Sequence, residues 1–278
     1  MNSIECPEII DYEKIFTEMV VYIRSLGLTV NTTTKARGHQ GFFLKNRIDI
    51  SANIPADRKI EVLIHEFTHY IHSKIDAAIT QNHGSLEKLF PNSDYDRLEN
   101  ELFEVTKQFD KNKGFRLLQE KKASILSEIK DYSIKIKNKY SDFKRSKPYK
   151  KIERIIKKTD AKYLLKYDRV RVKNAFFGGS KDYSISTLHL DFPQFDTETK
   201  LYLLLKAKQR TLKRINARIN RLNNYYRRPS ELFARFVEAL FVDTNKVTQI
   251  APYAYLVFCR ELANNRYLEL AEFINKFF

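Results

Sequence analysis

The chain has 278 residues and a formal charge of +16, with 43% hydrophobic residues, 20 Phe, 16 Tyr and only seven Gly and seven Pro. That apolar mass excludes a mainly disordered protein, and the scarcity of breakers argues against a many-turned sheet protein and for long helices. No apolar run approaches the roughly 18 residues of a membrane-spanning helix, so no transmembrane segment is expected.

The acidic stretch Met1 to Met19 lacks the basic and apolar regions of a secretory signal. Cys6 and Cys259 show neither a disulfide framework nor a Cys-x-x-Cys spacing, so inert thiols in a cytoplasmic protein are expected.

Along the chain, Ile9, Ile10, Ile15, Met19, Tyr22 and Ile23 recur at three- and four-residue steps, predicting a helix from Pro7 to about Leu26 that stops at Gly27. Leu28 to Thr33 and Gly41 to Ser51 are β-branched and aromatic, and flank the turn-prone Arg37-Gly38-His39-Gln40-Gly41. They predict short strands. Pro55 and Asp57 then open a helix through Ile60, Leu63, Ile64, Phe67, Ile71 and Ile75.

A helical pattern from Asp94 to about Lys144 predicts an inserted hairpin. Lys144 to Lys173 follows as a basic amphipathic segment, with thirteen Lys and Arg against three acids. A turn at Phe176-Phe177-Gly178-Gly179, a strand from Tyr183 to Leu190, a helix from Thr197 to Tyr225 and helices from Pro229 and after Pro252 complete the expectation. The expected organisation is one domain over 1–278 with a helical insertion at about 94–173. Its class would be α+β and predominantly helical, with a small sheet beside the helix of residues 55–75.

That helix carries His65-Glu66-Phe67-Thr68-His69. In His-Glu-x-x-His the two imidazoles stand one turn apart on one face, so both can reach a single zinc at ~2.0–2.1 Å. Glu66 flanks the open position as a general base for water activated by the metal. One Zn2+ per chain is the expected cofactor. A catalytic zinc normally takes a third protein ligand, and two candidates arise. Glu231 follows Pro229 at a helix start in Tyr225-Tyr226-Arg227-Arg228-Pro229-Ser230-Glu231-Leu232-Phe233-Ala234-Arg235, and the alternative is His83, fourteen residues beyond His69. His72 shares the face of His65, but ~10.5 Å of helix separates the two, so it is expected at the surface or behind the ligands. Tyr225, Tyr226 and Arg228 are candidates for oxyanion or substrate contacts. An extended peptide would pair with the edge of the Gly41 to Ser51 strand.

Tyr-Tyr-x-x-Pro-x-Glu-Leu-Phe-Ala-Arg with an upstream His-Glu-x-x-His resembles the zincin-like domains of large polyvalent proteins of phages and conjugative elements. Glu-x-x-Ala more loosely resembles the second motif of ImmA/IrrE-type gluzincins. The likeness covers about residues 40–76 and 224–242. It implies a zincin-like fold, His65, His69 and Glu231 as ligands, Glu66 as base, and a protein or peptide substrate hydrolysed as by an endopeptidase. His83-Gly84 resembles the third ligand of SprT-like proteases, which act on DNA-attached proteins, although Leu86 stands where that family has an aromatic residue.

Residues 206 to 228 hold nine Lys or Arg and no acid, with Lys206, Arg210, Arg214, Arg218 and Arg221 on one helical stripe. The alternative function is therefore an inactive zincin scaffold, or an SprT-like protein, whose basic helices meet nucleic acid or an acidic protein. Such contacts would be mainly to the phosphate backbone.

Overall fold

A computed structural model describes residues 11–34, 40–110, 114–173 and 179–278. Cys6, the expected helix start at Pro7, Arg37 to His39 of the first expected turn and Phe176 to Gly178 of the second lie outside them. Among the described residues Cys259 is a free thiol. The chain forms two compact units, Met1–Lys111 with Asn223–Phe278, and Asn112–Leu222.

The first unit opens with α1 (Tyr12–Ser25), capped by Asp11, whose carboxylate accepts from the Lys14 N–H. Three strands follow, β1 (Thr29–Thr34), β2 (Gly41–Leu44) and β3 (Arg47–Ser51), in the order β1-β3-β2. β1 runs parallel and β2 antiparallel to β3, so the expected Gly41 to Ser51 strand is a hairpin folded at Lys45-Asn46 with β2 on the sheet edge. The Ser51 N–H donates to the Gln40 carbonyl, and the register Phe42↔Asp49 continues that hydrogen-bonded alternation. Gly41 and Phe43 therefore turn their backbone groups to the free edge.

Behind the sheet lies α2 (Ala56–Ile75), with Pro55 as N-cap and Asp57 in the first turn. From Ile60 to Thr68 every side chain of α2 is buried. Ile60, Leu63, Ile64, Phe67 and Ile71 fill the core, and Phe67 meets Phe273 with ring centroids 5.0 Å apart. Gly41 admits this packing, because a Cβ there would stand 2.4 Å from Val62 Cγ1. Two short turns of helix, α3 (Ile79–Asn82) and α4 (Leu86–Leu89), lead to α5 (Tyr95–Gln108), capped by Asp94.

α5 corrects the expected insertion at about 94–173. Leu98, Leu102 and Val105 are fully buried in the first unit, so α5 is part of that core and not one arm of an inserted hairpin. The inserted unit starts later and ends later, at Leu222. It comprises α6 (Gly114–Lys139), α7 (Lys147–Lys157), a 3-10 turn (Asp160–Leu165), the antiparallel pair β4 (Arg169–Lys173) and β5 (Ser180–Ser184), α8 (Leu188–Asp191) and most of α9 (Thr197–Tyr226). Its core gathers Ile136, Phe143, Ile152, Ile156, Leu164 and Leu203. The strand expected from Tyr183 to Leu190 ends at Ser184. There the Ser184 hydroxyl takes up the Ser186 N–H and helix α8 follows.

The chain re-enters the first unit at Asn223 and continues through α10 (Pro229–Ile250), α11 (Pro252–Ala263) and α12 (Leu268–Phe277). Asp243 breaks α10 with φ −163° and ψ 84°, and its carboxylate caps the restart at the Lys246 N–H. α10 packs against both α2 and α5, and α11 packs on α5. No helix among the described residues is long and apolar enough to cross a membrane.

Two glycines distinguish backbone strain from packing. Gly27 has φ +86° in open space, whereas Gly84 has φ +76° and a Cβ there would lie 2.3 Å from His72 Nε2. Gly27→Ala should cost about 1 kcal/mol from the left-handed backbone alone. Gly84→Ala should add about 1–3 kcal/mol of overpacking, because the His72 ring is fully buried. Urea melts of the two variants measure the difference.

Candidate metal centre

The i, i+4 spacing on α2 turns His65 and His69 to one side, and their Nε2 atoms lie 3.2 Å apart. Facing them, Pro229 starts α10 and places Glu231 in its first turn. Oε2 of Glu231 is 3.6 Å from His65 Nε2, and Oε1 is 3.6 Å from His69 Nε2. These edges match the ~3.3–3.4 Å between neighbouring ligands of a tetrahedral ion with ~2.0–2.1 Å bonds. Among the described residues, this is the group of His, Cys, Asp and Glu whose donor atoms converge within 4.8 Å.

Three electron-rich atoms at one point repel each other unless a cation lies between them. Glu231 Oε2 is buried and has no hydrogen-bond partner, which adds a full desolvation cost for a carboxylate oxygen. The surrounding charge has the same sense. Glu61, Glu66, Glu231 and Glu238 are buried carboxylates, against the guanidinium groups of Arg58 and Arg235. The carboxylates outnumber the guanidinium groups, so the surroundings favour a cation. The donor set of two imidazoles and a carboxylate with an adjacent base suits zinc.

Glu238 has no role in the sequence reading and is central here. Its Oε2 accepts from His65 Nδ1 at 3.1 Å, which leaves Nε2 as the nitrogen with the free lone pair. Arg58 Nη1 holds the other oxygen at 2.8 Å, and Arg235 Nη1 stands 3.7 Å from Oε2. Burial alone would raise the Glu238 carboxyl, but the hydrogen bond from His65 and the charges of His65, Arg235 and Arg58 bring it down to about 2. The same contact raises His65 against its burial. His69 is held well below its ordinary value by burial first, then by the charges of His65, His72 and Arg235. The available signal was the spacing of Glu238, two helical turns after Glu231 on the same face.

Glu66 is buried beside the three donors and accepts a hydrogen bond from the Phe43 N–H on the free edge of β2. Burial, reinforced by Glu231 and Glu238 against the pull of His65, pushes its carboxyl up to about 7. Of the three oxyanion candidates, Tyr225 lies at the centre. Its hydroxyl is raised by burial, then by the charge of Glu231 and a hydrogen bond to that carboxylate. Tyr226 turns instead to Asp110, and Arg228 stacks over the Tyr225 ring at 5.2 Å.

His83 is not among the converging donors. It is exposed at φ +68°, and its carbonyl accepts the Ser230 N–H, so its backbone anchors the start of α10. The His83-Gly84 pair serves a chain reversal in which Gly84 makes room for His72. His72, expected at the surface or behind the ligands, is fully buried with both ring nitrogens unpartnered and its edge against Phe233. Burial draws it down to about 4, against the opposing charge of Asp76.

The basic stripe of α9 also divides. Arg210 donates to the Leu165 and Tyr167 carbonyls and to Asp168, so it ties down the segment before β4. Arg214 pairs with the same Asp168, whereas Arg218 and Arg221 are exposed. No family model, curated protein or solved structure matches the chain.

Proposed function

We propose that the first unit is a zincin-like, zinc-dependent peptidase. The observation that carries this reading is the convergence of His65, His69 and Glu231 beside a buried Glu66. Zinc bound there would supply Lewis acidity to a peptide carbonyl and lower the pKa of water towards ~7.

The residues of the chain perform the remaining steps. Glu66 takes a proton from the attacking water as the new C–O bond forms, and returns it to the departing amine as the C–N bond breaks. Glu238 holds His65 in the tautomer that leaves Nε2 free, and Arg58 and Arg235 keep Glu238 ionised. The Tyr225 hydroxyl, which is hydrogen-bonded to Glu231, would serve as donor to the oxyanion that develops on the carbonyl. Gly41 and the carbonyl of Phe43 would offer outward backbone groups to an extended peptide along β2, the Phe43 N–H being held by Glu66.

Glu66→Gln keeps the shape of the side chain and removes the base. It should lower hydrolysis of a quenched-fluorescence peptide library by about 10²–10⁴-fold, with zinc content unchanged. Equal turnover in wild type and variant, or none in zinc-loaded wild type, would leave a metal-binding scaffold without peptidase activity.

A further inference from the structure

The charge of the chain is segregated between its two units. Residues 112–222 hold thirty Lys and Arg against eleven acids, a net charge of +19; the rest of the chain holds twenty against twenty-three, a net charge of −3, which together give the +16 of the whole. A general lysine excess would load both units. The metal centre belongs to the slightly acidic one, so its chemistry does not account for the cations of the other.

Within the basic unit the charge has a shaped focus. Lys147, Lys150, Lys151 and Arg154 are exposed on one face of α7, and with Tyr140 and Pro148 they line an open recess of about 530 Å³. Among the described residues no carboxylate lines it. The acid of α7, Glu153, turns away to receive the Tyr202 hydroxyl and pairs with Lys157 at 3.3 Å. The ion pairs described in this unit use other residues, although the charge of Lys151 also reaches Asp196. Tyr140 is backed by Phe143, stacked at 6.4 Å, and is half-buried.

We infer that this recess is a single-stranded nucleic-acid site, with phosphates on Lys147, Lys150, Lys151 and Arg154 and a base against Tyr140. Its volume lies within the range of ligand pockets and accommodates about one nucleotide. Cations that follow a backbone beside an aromatic ring are the chemistry of single-strand binding, whereas a duplex keeps its base faces stacked away from a side-chain ring. An anionic membrane is a poorer fit. A helix that lies in a lipid surface needs its apolar face free, and α7 has buried Ile152 and Ile156 in its own core.

The test is fluorescence anisotropy of the full chain with labelled oligo-dT of about 15 nucleotides, titrated between about 50 and 200 mM salt. K147E/K150E/K151E/R154E should weaken binding at least tenfold and reduce the log–log salt slope by about 3, since each single-strand phosphate contact contributes about 0.7. Tyr140→Ala should weaken it about tenfold with the slope unchanged. Binding should persist in Glu66→Gln and in zinc-free protein, so it stands or falls apart from peptide hydrolysis. If the charge reversal prevents folding, the neutral K147Q/K150Q/K151Q/R154Q carries the same expectation.

The charge-matched K121E/K130E/K173E/K213E replaces four exposed cations elsewhere in the unit. An equal loss in that variant would overturn the proposal, because binding would then follow net charge and not the recess. Equal affinity for duplex with no effect of Tyr140→Ala, or equal competition by polyglutamate or by phosphatidylglycerol vesicles, would also overturn it.

Discussion

Glu231→Ala should reduce zinc from about one per chain to a small fraction after dialysis, while His83→Ala should retain it. The contrast follows from position. Glu231 places a carboxylate oxygen 3.6 Å from each ring nitrogen, and its Oε2 has no hydrogen-bond partner among the described residues. His83 contributes a carbonyl to the Ser230 N–H, which alanine preserves. His69→Ala should behave as Glu231→Ala does, because two donors cannot complete a protein site for a catalytic zinc. Elemental analysis of the three variants beside wild type makes the measurement, with a circular dichroism melt of each to show that it folds. Zinc lost from His83→Ala and kept by Glu231→Ala would overturn the assignment.

The largest loss of stability should come from Glu238→Ala, about 3–5 kcal/mol in zinc-free protein. Glu238 is buried, and its partners Arg58 and Arg235 are partly buried, with side chains only 13% and 14% exposed. Alanine removes the carboxylate that the two guanidinium groups share, leaving Arg58 with Glu61 and Arg235 with the more distant charge of Glu231, and leaves the His65 Nδ1–H without an acceptor. Glu238→Gln keeps an acceptor for His65 and should cost less. The carboxyl lies at about 2 in the folded protein against an ordinary 4.5, so its ionisation stabilises the fold fully above about 4.5. That contribution disappears as the pH falls through about 2. The stability gap between wild type and Glu238→Gln should therefore be widest above about pH 5 and close over this acid window. Urea denaturation across the pH series measures it; a gap that stayed constant with pH would show that the charge of Glu238 is not what stabilises the site.

Much of the site was legible because its spacing is local. His65 and His69 are one turn apart, and helix geometry alone puts them on one face with Glu66 between them in sequence. Glu231 could be proposed because Pro229 announces a helix start. The short strands before α2 were legible from β-branched and aromatic runs, although their fold into a hairpin, with β2 on the edge, depended on the Lys45-Asn46 reversal. Glu238 was not legible as a partner of His65, which is 173 residues away in sequence. Arg58 and Arg235 likewise carry no local signal that burial brings them to one carboxylate.

The sequence by itself determined the helical character, the two-histidine face and the excess of basic charge, since each follows from residue type and from periods of a few positions. Tertiary structure decided which distant groups complete the site. It brought Glu231, and not the exposed His83 imidazole, to the two histidines because α10 packs on α2. It moved α5 out of the expected insertion because Leu98, Leu102 and Val105 gain more by burial against α10 and α11 than in solvent. It also drew the boundary across which the charge divides. Long-range packing depends on the complementary faces of segments far apart in the chain, and no local period records which faces will meet.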